Sequence, residues 1–99
     1  MKKIMKIPLF YVDFNEMIEP NLVLLSVDDS TTDVNGVMVL LKEGLQVAVY
    51  SDDLDENGNV DNLMATGVVE KNVTTGWGRH VKWCCRIDGD GIRSQSEIR

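Results

Sequence analysis

The sequence predicts a small all-β domain in which five to six short strands pair antiparallel and curl into a barrel. Three observations predict it. Short apolar or alternating runs recur through residues 22–88, each bounded by Gly, Pro, Asn or Asp. None of them sustains the spacing of a long amphipathic helix. The 99 residues suffice for one core and not for two, and a small sheet that curls to pair its own ends leaves no edge open.

The elements follow in chain order. Leu9 to Val12 reads as a short strand, while Asp13 and Glu16 have the spacing of a helix cap ahead of Pro20. Both readings stay open, and residues 1–21 are expected to be an N-terminal extension packed on the domain or on a partner subunit. Residues 22–99 then form the single β-rich domain. Leu22 to Val27 is a strand between Pro20 and the turn-rich stretch 28–33, and Asn35-Gly36 makes a tight turn. Val37 to Leu41 is the next strand. Leu45 to Tyr50 alternates cleanly, with Leu45, Val47 and Val49 directed at the core.

After the polar segment 51–62, Met64 to Lys71 returns to β-branched residues, with Gly67 marking a bend or bulge. His80 to Asp88 places Val81, Trp83, Cys85 and Ile87 on one face and His80, Lys82, Cys84 and Arg86 on the other. That alternation fits an antiparallel sheet with one solvated side, leaving Cys84 exposed and oxidisable. Asp88 to Gly91 turns the chain, and residues 92–97 add a short closing strand. The expected core is Leu24, Val39, Leu45, Val47, Val49, Val68, Val81, Trp83, Cys85 and Ile87.

The order of these elements resembles an SH3-like barrel over roughly residues 37–98, with the acidic loop 52–62, a meander through Asp88 and a short connection after Gly89. The resemblance is topological and rests on no residue motif, so it implies a fold and no function. The acidic and aromatic set with which signalling members of that fold bind proline-rich ligands is not evident.

Composition narrows the classes of function. The net charge is −6, with −8 carried by residues 1–61 and +2 by residues 62–99. Such a balance disfavours broad attraction to nucleic acid or anionic membrane. No apolar run approaches the length of a membrane helix, the basic start is not followed by a signal-peptide core, and the adjacent Cys84-Cys85 pair cannot staple distant segments. A cytoplasmic location follows as the expectation.

The sharpest local signal is the loop 53–64. Asp53, Asp55, Asn57, Asn59 and Asp61 occupy alternate positions around Gly58, the spacing with which a calcium loop converges oxygens on a hard cation. Met64 stands where the bidentate glutamate belongs, so the reading is a weak calcium site or an acidic hairpin turning at Asn57-Gly58. No other cofactor is expected. His80, Lys82 and Arg86 on one strand face, beside Arg79, form a candidate anion-binding strip for phosphate or nucleic acid over residues 79–86. Trp77 lies in a glycine-flanked loop, where it either covers an open end of the barrel or stands out as an aromatic anchor.

Catalysis finds little support, because His80 is the sole histidine and no nucleophile elbow or phosphate loop surrounds it. The leading expectation is a noncatalytic protein-interaction or adaptor module that binds a protein or peptide through Tyr50, Trp77, Arg79 and the acidic loop, with homo-oligomerisation open.

Overall fold

The computed structural model describes residues 7–97. Residues 1–6 of the expected extension, and residues 98 and 99, lie outside the described residues. The described residues form nine strands: β1 Leu9–Tyr11, β2 Met17–Glu19, β3 Leu22–Ser26, β4 Ser30–Thr32, β5 Met38–Leu40, β6 Gln46–Ser51, β7 Leu63–Lys71, β8 Trp83–Ile87 and β9 Arg93–Ser94. A 3-10 turn over Gln95–Glu97 follows.

Seven of these strands make one sheet in the order β1-β6-β7-β8-β3-β2, with β9 also paired to β7, while β4 and β5 form a separate ribbon. The sheet is not closed, which overturns the SH3-like barrel and the purely antiparallel pairing expected from the sequence. The reason lies in what occupies the edges. β1 runs parallel along β6, and β2 folds back antiparallel on β3. The returning strand β9 pairs with Leu63 and Met64 of β7, on the side that β8 follows from Gly67 onward, so it bridges no gap to β1.

Alternation along each strand sends one set of side chains to an inner face. Phe10 and Val12, Val47 and Val49, Ala65 and Val69, Trp83, Cys85 and Ile87, and Val23 meet there, and Leu41 and Val39 of the ribbon cover them. The expected core residue Val68 is more than one-third exposed. The true inward phase of β7 is Ala65, Gly67 and Val69. Leu24 and Val81 are buried as expected, but in a second cluster with Leu22 and Cys84.

That second cluster lies on the outer face, at the β3–β8 end. The segment 72–81 folds over it, with Gly78 against Leu24 and Ile18 and the Asn72 amide donating to the carbonyls of Gly78 and Val81. Cys84 is fully buried there, contrary to the expected exposure. The expected long strand from His80 begins at Trp83, because residues 77–80 are a turn.

Gly67 makes no bulge, since the pairing of β7 with both β6 and β8 runs through it without a register shift. Its role is close approach. A Cβ there would overlap the Arg86 carbonyl oxygen and lie 2.8 Å from the carbonyl carbon. Ser51, the buried polar residue of the core, is satisfied: its hydroxyl donates to the Val12 carbonyl and accepts from the Phe14 amide, pinning residues 12–14 to β6.

Candidate functional site

The outer face of the sheet divides into three zones, set by which strand positions point outward. At the β1–β6–β7 end, the registers Tyr11↔Tyr50 and Tyr50↔Met64 line three side chains in a row across the strands. The two tyrosine rings meet edge to face with centroids 5.5 Å apart and planes at 79°, an arrangement favoured by the ring quadrupoles. Tyr11 is 58% exposed. Beside it opens a hollow of about 410 Å³ that Tyr11 shares with Asp13, Asp52 and Asp53. Three acidic residues line this hollow beside Tyr11, which makes the corner fit for a cation by charge, and a cation seated over the face of the Tyr11 ring gains ring contact as well.

The middle zone is an ion-pair clamp. Arg86 points outward from β8, and four hydrogen bonds hold its guanidinium: two to Glu70, one to Glu19 and one to Asn21. Those bonds, to Glu70 first and Glu19 second, push its pKa up. The anion-binding strip is therefore not assembled. Lys82 reaches away to Asp29 at 2.6 Å, and His80 sits exposed in the 77–80 turn.

Asp29 takes hydrogen bonds from both Lys82 and the Trp83 indole on one oxygen. Lys82 first, then Trp83, holds its carboxyl below the usual value.

The far zone is the cluster roofed by residues 72–81, from which Trp77 projects at 62% exposure. With no closed barrel, Trp77 has no barrel end to cover. Gly78 rests on β2 and β3, so Trp77 and Arg79 stand at the opposite end of the strand order from Tyr50. The three residues singled out for partner contact do not form one surface.

The acidic loop is an extension of the β6–β7 hairpin. Asp61 N bonds to Asp53 O, Leu54 bridges Val60, and Asp55 N bonds to Asn59 O. This ladder separates the candidate ligands into rungs, with Asn57 at the tip. Asp55 Oδ1 accepts from the amides of Asn57 and Asn59 at 2.9 Å. Asp61 accepts the Ser96 amide and hydroxyl at 2.8 Å each. Among the described residues no three His, Cys, Asp or Glu side chains converge as a metal site.

Burial pushes the Cys84 thiol up to about 11 and that of Cys85 to about 12, which suits packing and not nucleophilic chemistry. Among the described residues no helix is long and apolar enough to cross a membrane.

Tyr11, Asp13 and Met64 were missed as site residues from sequence. Alternation in Leu9 to Val12 puts Tyr11 opposite Phe10, but nothing local reveals that this strand lies beside Tyr50. The fold and the site thus define an all-β domain with an open mixed sheet and an aromatic, acidic outer corner. Compared with protein-family models, curated proteins and solved structures, the chain matches none of them.

Proposed function

We propose that this chain is a noncatalytic protein-interaction module whose contact surface is the Tyr11–Tyr50–Met64 row, and that it takes a cationic segment of a partner protein. The observation that carries the reading is exposed Tyr11, set edge to face with half-buried Tyr50, beside a hollow that it lines with Asp13, Asp52 and Asp53. Rigid aromatics supply contact area at small entropic cost, and carboxylates supply steering and selection by charge. Two free, buried cysteines support work in a reducing compartment such as the cytoplasm.

A titration of isotope-labelled protein with an arginine–glycine repeat peptide tests this reading. Saturable amide shifts confined to residues 9–14, 48–53 and 62–65, weakening with salt, are expected. The double variant Tyr50→Ala, Asp52→Asn should abolish them with circular dichroism unchanged. Shifts that never saturate, or that survive this variant, count against the reading.

A further inference from the structure

Resting on the cationic reading of this corner, we propose that the partner segment carries an aliphatic side chain four residues from its basic one, seated in a separate hollow between β7 and the segment after β8. Among the described residues, four hollows here join through shared side chains. The first, of about 140 Å³, is lined by Ala48, by residues 64–66, and by Asp90, Gly91 and Arg93. Met64 belongs also to the next, which Tyr50 and Asn62 line. Asn62 continues into a third with Asp52 and Asp53, and those two acids reach the hollow beside Tyr11. One path thus runs from Ala48 past Tyr50 to Asp52.

The two ends of the path differ in chemistry. Asp13, Asp52 and Asp53 put three negative charges at one end. At the other, Asp90 and Arg93 oppose each other in charge above Ala48, Met64 and Thr66. A cation is drawn to the first end, and an uncharged side chain gains by leaving water at the second. A dry apolar cavity of about 150 Å³ accepts benzene, so a leucine side chain is within the size of the second hollow.

That hollow is built before a ligand arrives. The Asp88 amide donates to the Thr66 carbonyl, the Thr66 hydroxyl donates to the Asp88 carboxylate, and the Gly91 amide donates to the Asp88 carbonyl. These bonds fix its far wall against β7, which lowers the cost of binding.

The spacing follows from β6. Ala48 and Tyr50 point outward from it, and Asp52 follows in the same phase. Four residues of strand span roughly 13 Å. An extended segment crosses that distance in four residues as well, and an even number keeps both side chains on the side that faces the sheet.

Nuclear magnetic resonance titration of the full chain tests the pairing with nine-residue glycine peptides that carry one arginine. Leucine four residues before or after the arginine should raise affinity roughly tenfold in one of the two orders, and leucine adjacent to the arginine should not. In Ala48→Leu, which fills the hollow, the ratio of the two affinities should fall to near one with circular dichroism unchanged. Equal affinity with and without leucine overturns the proposal, as does an equal gain from adjacent leucine or a gain that persists in folded Ala48→Leu. Where the arginine peptides still shift residues 9–14 and 48–53 but leucine adds nothing, the aliphatic hollow falls and the cationic corner stands. Where neither these peptides nor the arginine–glycine repeat binds, both fall.

Discussion

The two faces of the sheet are built on different principles, although the same strands supply both. The inner face is one continuous apolar surface, from Phe10 on β1 to Val23 on β3, closed over by Val39 and Leu41 of the ribbon. The outer face is a sequence of local solutions: an aromatic and acidic corner, the Arg86 clamp, and a small cluster under the 72–81 segment. A continuous face makes the fold, and a divided one leaves room for function. The difference teaches that a strand with an apolar and a polar side in sequence need not have a dry and a wet side in space.

The largest expected effect falls on the seam that both faces share. Gly67→Ala sets a methyl group into the Arg86 backbone, which no rotamer change relieves, and should cost about 3 kcal/mol or more. Urea unfolding measures it. A loss below about 1 kcal/mol would mean that β7 and β8 part easily, and the inner face would then be less tightly specified than its packing implies.

Cys84 and Cys85 sharpen the comparison further, because neighbours on one strand sample the two faces separately. Both are fully buried. Serine at either site puts a hydroxyl into an apolar setting, at a cost of about 1–3 kcal/mol, with Cys85→Ser toward the upper end and Cys84→Ser toward the lower. Thiol labelling of the single-cysteine variants should find Cys84 reacting first, through local opening of residues 72–81, and Cys85 reacting through global unfolding.

The pH dependence has a definite sign. Both thiols have folded pKa values raised from 9.0 to about 11 and about 12, so their stabilising effect is complete below 9 and is lost as pH climbs through those values. Equal labelling rates would break the distinction between a roofed outer cluster and a sealed inner core.

The strands over 22–26, 38–40, 46–51, 63–71 and 83–87 overlap runs that the sequence marks, with Ser51 and Leu63 added at their ends, because alternation and turn residues act locally. The phase of β7 misleads for a physical reason. Its inward residues Ala65 and Gly67 are small where the backbones draw close, so they give no hydrophobic signal, and Val68 takes their place in the pattern.

Closure was illegible because it depends on where β1, β2 and β9 pair, and those choices rest on contacts distant in sequence. The candidate site was half legible. Tyr50 and the acids after it stand in the sequence as an evident group, whereas Tyr11 joins them through the parallel pairing of β1.

The smallest expected effect concerns a likeness between two turns. Asp33-Val34-Asn35-Gly36-Val37 in the ribbon and Asp55-Glu56-Asn57-Gly58-Asn59 in the acidic loop repeat one hydrogen-bond scheme. In each, the aspartate Oδ1 accepts from the amides two and four residues on. In each, its carbonyl accepts from the glycine amide, and the glycine takes a positive φ of 82° or 83°. The ribbon turn lacks the other acids of the calcium-like spacing, yet its geometry is the same. Turn chemistry therefore accounts for Asp55, Asn57 and Gly58 without a cation. Asp33→Ala and Asp55→Ala should each lose about 1 kcal/mol, read as a fall in Tm of roughly 4–8 °C per kcal/mol, and millimolar calcium should move neither midpoint nor that of the wild type. A calcium-dependent rise in Tm that vanishes in Asp55→Ala and survives in Asp33→Ala would separate the two turns and return the loop to cation binding.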